Sequence, residues 1–332
     1  MSKLFHACPT IGRKAVPRAP SVAPARFRIA AAAPFLAVGL GALVAASTAG
    51  HAQNLSSSAL RQEGPTVRLD TDKSQFNLFN RTPDALMRPF STDRPGKSHS
   101  ALTVDAGHIQ VEGDFWNYTW DRYTPDRTTR RAYTLAAPNL KLGVTNWAEL
   151  DVIFPIYNSL AVRSRAGEGN ERAFGIGDVL LGGKVNFFGN DDGKHALGAI
   201  AFIKLPTAAR GLGNNMAEFF LNVPYTMTLP NRFSLTIEPG AALVRNAYKQ
   251  GYHGNYQLIA NLNRPIICDV VVAALEVSFE YGTDRNIGPR HTIDPSLQWL
   301  ITPNVQLDVG IYIGVSKTAP DYNPYVGISF RY

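Results

Sequence analysis

The chain is poor in cysteine, in charge and in membrane-length apolar runs. Only two cysteines occur in 332 residues, Cys8 and Cys268. Cys8 lies in a basic leader, so removal of that leader leaves one thiol, too few for an intrachain disulfide or a thiolate metal cluster. Cys8 also precedes the apolar run instead of following it, which excludes a lipoprotein signal. Charged residues make up 18% of the chain, and the net charge of +7 misleads about partners. Lys3, Arg13, Lys14, Arg18, Arg26 and Arg28 stand in residues 1–52 without a single acid, and they account for all but one unit of that charge. The near-neutral remainder has no basic stripe for a nucleic acid. Neither a Gly-x-Ser-x-Gly motif nor a Ser/His/Asn constellation is present, and no His/Asp/Glu cluster has metal-ligand spacing. His108, His195, His253 and His291 read as isolated residues. The expectation is a protein that is not an enzyme and takes no cofactor and no metal.

What is present leans towards glycine- and aromatic-rich β structure: Gly 28, Tyr 13 and Phe 17. Residues 1–28 are basic and rich in Pro and Ala; 29–46 are apolar; Gly50 and Ala52 then supply small residues at the two positions a signal peptidase reads. Residues 1–52 are therefore expected to be a signal peptide, cut between Ala52 and Gln53, with an uncleaved anchor as the alternative because the apolar run just reaches spanning length. Residues 53–100 are polar and turn-rich, with seven bases (Arg61, Arg68, Lys73, Arg81, Arg88, Arg94, Lys97) against five acids (Glu63, Asp70, Asp72, Asp84, Asp93). They read either as a periplasmic linker or as a segment that tucks into a barrel and plugs it.

Residues 101–332 repeat one theme, a run of alternating polarity followed by turn residues. Period-two alternation places successive side chains on opposite faces of a strand. The runs fall at about 104–119, 133–144, 148–158, 177–188, 195–205, 217–229, 233–245, 254–263, 269–281, 292–301, 305–316 and 322–332. In the ninth, Val271, Ala273, Leu275, Val277, Phe279 and Tyr281 oppose Glu276, Ser278 and Glu280. In the first, the pattern sets Trp116 and Tyr118 on the polar face with Glu112 and Asp114. Five short connections alternate with six longer ones, among them 121–132 and 161–174. An even number of strands with alternating loop lengths predicts an all-β fold: a twelve-stranded antiparallel transmembrane β-barrel with short periplasmic turns and longer external loops. A soluble sandwich also alternates polarity but has no reason to alternate loop length. Only a closed sheet satisfies every strand hydrogen bond in lipid.

With the apolar faces towards lipid, the register points Glu112, Asp114, Glu149, Asp151, Asp178, Glu218, Glu238, Glu276, Glu280, Asp294 and Asp308 into the lumen, opposed by Lys141, Lys184, Lys204 and Arg331. Such a net-negative lumen favours cations if water fills it, whereas side chains can fill so narrow a barrel. The basic excess of 53–100 makes that segment an electrostatic partner for the acidic interior. The arginine-rich external loop at 121–131 is a candidate contact for lipopolysaccharide phosphates.

The last strand carries Tyr325-x-Gly327-x-x-Phe330-x-Tyr332, which resembles the C-terminal signal that addresses outer-membrane barrels to their assembly machinery. The stretches Ser91-Thr-Asp-Arg-Pro-Gly-Lys-Ser98, Thr103-Val-Asp-Ala-Gly-His-Ile-Gln-Val-Glu112, Gly175-Ile-Gly-Asp178, Lys204-Leu-Pro-Thr207 and Thr302-Pro-Asn-Val-Gln-Leu-Asp308 resemble the bacterial outer-membrane family labelled "putative MetA-pathway of phenol degradation". The resemblance spans about 90–332. It implies an outer-membrane protein of a Gram-negative bacterium, linked to aromatic-compound catabolism. On this reading the barrel is a channel-type transporter for passive passage of small aromatic or hydrophobic compounds. Its partners would be outer-membrane lipid and lipopolysaccharide, the assembly machinery and a small-molecule solute, with no nucleic acid. The alternative is a closed structural or interaction barrel that displays its loops without transport.

Overall fold

A computed structural model describes residues 72–122, 127–164, 170–191, 193–247 and 249–332. The leader, the expected cleavage site at Ala52 and Gln53, and residues 53–71 lie outside the described residues, as do 123–126 and 165–169 in two of the long loops.

Twelve antiparallel strands form one sheet that closes on itself. They are β1 (Ile109–Asp121), β2 (Thr128–Thr145), β3 in two pieces (Ala148–Ile153 and Tyr157–Ser164), β4 in two pieces (Asn170–Gly175 and Val179–Phe188) and β5 (His195–Leu205). There follow β6 in two pieces (Glu218–Asn222 and Tyr225–Thr228), β7 (Ser234–Arg245), β8 (Tyr252–Ile267), β9 (Val271–Gly282), β10 (Arg290–Thr302), β11 (Val305–Gly314) and β12 (Tyr322–Arg331). Each strand pairs with its neighbours in sequence, and β1 closes the circle by pairing with both β2 and β12. Pro155 and Pro224 sit in two of the interruptions, as expected of a residue without an N–H to give the ladder. Among the described residues the only helical turns are Asp84–Leu86 and Pro230–Arg232.

The physical reason for closure is visible on the outside. Leu150, Phe187, Phe219, Leu243, Leu275, Phe279 and Ile301 are all exposed on the convex face. Inside, Glu238, Glu276, Asp294 and Lys184 are almost fully buried. A sheet that is apolar outside and polar inside is stable only with lipid around it. Short connections (146–147, 189–194, 229–233, 268–270, 303–304) share one rim with both ends of the barrel, where the Tyr332 amide donates to the Ile109 carbonyl at 2.8 Å.

Two sequence expectations change. The strands next to the long loops run further than their polarity suggests: β2 begins at Thr128 and is 18 residues long, so Arg130 and Arg131 are strand residues, not loop residues. β1 carries a bulge between Asp114 and Trp116, the point where its register with β12 slips. Beyond it the parity reverses: Asn117 faces Tyr325 inside, and Trp116 and Tyr118 face outward.

Candidate functional site: the occupied lumen

The first strand starts at Ile109; of the described residues before it, 88–108 pack against the inward faces of strands around the barrel, whereas most of 72–87 are exposed, Phe79 to 95%. Their backbone approaches closely where the wall has no side chain. A Cβ on Gly143 of β2 would lie 2.1 Å from the Asp105 carbonyl oxygen, so only glycine lets the segment lie there. Ala101 and Leu102 bury against Ala196 of β5. The inner face of β5 also carries buried Ile200 and Phe202, so this strand is apolar on both faces.

The polar contacts fall into clusters, and most of the expected lumen residues belong to one. Asp93 accepts from Lys141 Nζ at 2.6 Å and from Lys184 Nζ at 2.7 Å, bridging β2 and β4. Glu112 and Glu149 complete this cluster: Glu112 lies 3.1 Å from Lys141, and Glu149 lies 3.2 Å from both lysines. Asp151 accepts from Asn139 beside it. The Asp93 and Val104 amides donate to Glu112 and Glu149. Burial alone would raise the Asp93 carboxyl, but Lys141 and Lys184 outweigh it and hold Asp93 far below the usual carboxylate range.

Further round the wall, from β1 back to β7, the signs reverse. Arg94 donates to Asp308 of β11 through two nitrogens, at 2.7 and 3.1 Å, and to Asp114 of β1 at 2.7 Å. This is the fork geometry that makes guanidinium–carboxylate contacts strong. Glu276 of β9 accepts from the Lys97 and Ser98 amides and from the Ser98 hydroxyl at 2.6 Å. Lys97 Nζ reaches Ser278 and Thr292, and Thr292 in turn donates to Asp294. His99 meets Glu238 of β7 at 2.9 Å. Burial would lower the His99 imidazole, but the Glu238 carboxylate raises it above its ordinary value of 6.5.

The remaining expected residues lie apart from these clusters. Lys204, Asp178 and Glu218 form a separate triad at 3.2 and 2.9 Å, joined by Asn214 from the long loop 206–217. Glu280 contacts Asn255 and Arg290 on the long-loop side. Arg331 sits at the opposite rim, donating to the Arg88 carbonyl at 3.0 Å and to Asn304, with its guanidinium 5.4 Å from the Phe90 ring centre. In the C-terminal motif, Tyr325 is buried against Tyr312 with ring centres 4.8 Å apart, while Tyr332 is largely exposed and edge-on to Phe330. A Cβ on Gly327 would fall 2.0 Å from the Arg94 guanidinium. Gly327 therefore makes room for Arg94, and an assembly signal is not the only reason for a glycine there.

Several residues that build this interior were not read from the sequence. Arg88 anchors the near end of the segment, donating to the carbonyls of Thr103 and Asn146, each at 2.6 Å, and to Asp191 at 2.9 Å. The ring nitrogens of His108 lie 2.9 and 2.7 Å from the carbonyl oxygens of Tyr332 and Thr82. The apolar inner face of β5 was the available signal, since an inward Ile200 and Phe202 need a cover. Between the sheet and the segment a cavity remains, reached by Ser91, Thr92, Thr236, Asn261 and Gln298. No cluster of His, Cys, Asp or Glu suited to a metal ion occurs among the described residues.

A closed twelve-stranded barrel, apolar outside and polar within, is the architecture of an outer-membrane β-barrel. The chain belongs to the family described as "Putative MetA-pathway of phenol degradation", which it matches over residues 92–332. Its fold is that of an outer membrane channel from Pseudomonas putida F1, at 14% identity and a TM-score of 0.55, covering 68% of this chain and 95% of that one. Looser likenesses include the NanC porin (9% identity, TM-score 0.44, 67% of this chain and 98% of that one) and the β domain of the Bordetella autotransporter BrkA (11%, 0.45, 68% and 99%). No curated protein sequence matches the chain.

Proposed function

We propose that the protein is an outer-membrane channel-type transporter for passive passage of small aromatic or hydrophobic compounds, and that residues 88–108 act as its plug. The observation that carries the reading is the match of charge between segment and wall: an anion at Asp93 against Lys141 and Lys184, and cations at Arg94 and His99 against Asp308, Asp114 and Glu238. A linker between compartments has no need of such a match. A segment that must dock and be displaced does, because ion pairs hold position without the uniform adhesion of an apolar plug. The family description supports aromatic solutes. The function proposed requires no catalysis, metal or cofactor.

The test is solute flux in proteoliposomes containing the mature chain, 53–332, beside a chain lacking 53–100. Faster efflux of phenol and toluate than of a sugar of similar size, increased by the truncation, is the expected result. Equal, background-level efflux from both would reject transport and leave the closed structural barrel, a reading that the dense ion pairing of the lumen also supports. Export by a cleaved leader is part of the proposal, and N-terminal sequencing of membrane-extracted protein should return Gln53.

A further inference from the structure

Three arginines converge on the outside of the barrel, on the long-loop side. Arg131 of β2 and Arg172 of the outer piece of β4 both lie opposite Ala161 of β3, and Arg163 of β3 lies opposite Thr129 of β2. The three side chains line an outward pocket of about 260 Å³ together with Thr129, Tyr133 and Ser159. Their orientation follows from the register. β2 turns its parity at Ala136, a non-glycine residue at φ 53. After that residue Asn139 and Lys141 face in; before it Tyr133 faces out, and its ring lies 4.6 Å from that of Tyr118. Leu135 and its partner Tyr157 are exposed on the same face. No ion pair with a carboxylate involves Arg131, Arg163 or Arg172 among the described residues.

Height is the second observation. From Val144, near the short-turn rim, to Tyr133 is about 36 Å of strand, or about 28 Å along the barrel axis at a tilt of about 40°, against an apolar band of about 25 Å. Tyr133 and Trp120 thus stand at an aromatic girdle, and Arg131, whose guanidinium lies 5.9 Å from the Trp120 ring centre, stands just beyond it. That is the level of lipid headgroups. Below the pocket, Phe174 is 72% exposed and offers a surface for an acyl chain.

We propose that this pocket binds the phosphate of a phosphorylated glycolipid in the leaflet at the long-loop rim. The three guanidiniums supply fork-like donors to the phosphate oxygens, the hydroxyls of Thr129, Tyr133 and Ser159 supply further donors, and Leu135, Tyr157 and Phe174 carry the chain beneath. The site rests on the barrel spanning a bilayer and not on what crosses the lumen, so it survives if transport fails its own test.

The experiment uses the folded, detergent-solubilised protein and native mass spectrometry with bisphosphoryl lipid A as the probe. The triple variant Arg131→Gln/Arg163→Gln/Arg172→Gln is compared with Lys249→Gln/Arg285→Gln/Lys317→Gln, which removes equal charge from exposed positions elsewhere. Retention of lipid A should fall about tenfold or more in the first and stay unchanged in the second, and the dephosphorylated lipid should not be retained by any form. Should the triple variant fail to fold, Arg163→Gln alone carries the test, with an expected loss of about threefold. Equal retention in the arginine variants overturns the proposal. So does equal retention of the dephosphorylated lipid, or full competition by inorganic phosphate, which would mark a site for free anion.

Discussion

The two walls of the lumen treat the same segment in opposite ways. The wall from β2 to β4 contributes Lys141 and Lys184, each within 3.2 Å of Glu149, and draws in a single anion, Asp93. The wall from β7 round to β1 contributes Glu238, Glu276, Asp308 and Asp114 and draws in Arg94, the Lys97–Ser98 amides and His99. Adjacent residues 93 and 94 therefore point to different strands, β2 and β4 against β1 and β11, with opposite charge. The difference teaches how a polar strip can be held in one position inside a wide polar tube. Like-for-like adhesion would let it slide, whereas a sign reversal between neighbours specifies register, much as alternating charges do in other paired structures.

The comparison breaks most sharply at Asp93. Asp93→Ala leaves two buried ammonium groups facing each other with fewer carboxylates, and should weaken docking of the segment by about 3–5 kcal/mol; hydrogen exchange of amides 88–105 should rise to the rate of an undocked chain. On the other wall, Arg94→Lys retains charge but cannot reach both Asp308 and Asp114 with three donors. A loss of about 2–3 kcal/mol is expected, read in the same exchange assay, with Arg94→Gln at least as damaging. Gly327→Ala perturbs the same contact from the wall side, with the segment's own residues unchanged. The added methyl must displace the Arg94 guanidinium, at a cost of about 1–3 kcal/mol, and should reproduce the Arg94→Lys pattern while leaving the Asp93 clasp protected.

The smallest effect is that of pH, and it separates the walls again. The His99 pKa is raised in the docked state, so its contribution is complete below its ordinary 6.5 and is lost as pH rises through the docked value. The Asp93 pKa is depressed, so its contribution is complete above the ordinary 3.8 and fades only as pH falls below it. Raising the pH from about 6 to about 9 should therefore loosen residues near His99 and leave Asp93 in place. Ion current through the barrel should rise modestly over that range, and His99→Gln should flatten the profile.

Much of this arrangement could be read from residue order. Period-two alternation in β7, β9 and β11 located the wall, and its parity assigned Glu238, Glu276 and Asp308 to the inner face. What alternation cannot carry is a change of phase. One bulge at Phe115 and one left-handed residue at Ala136 turned Trp116, Tyr118 and Arg131 outward, and neither leaves a mark in polarity, because aromatic and basic residues suit a membrane interface on either face. The strand ends at Thr128 and Asn170 were hidden for a related reason: beyond the apolar band, strands no longer alternate. The partners of the inward acids were hidden too, since pairing Asp93 with Lys141 and Lys184 depends on where a strip without periodicity crosses the lumen. The basic excess of the 53–100 stretch hinted at an acidic host but could not say which residue meets which.

The central claim is that charge pairing holds residues 88–108 in the lumen and closes it. Single-channel recording in planar bilayers of the mature wild-type protein beside Asp93→Ala/Arg94→Ala tests it directly. The account predicts a small or intermittent wild-type conductance and a larger, cation-selective one in the double variant, because the undocked lumen exposes Glu238, Glu276, Asp294 and Asp308. Identical conductance and selectivity in the two proteins, with both correctly folded, would contradict it.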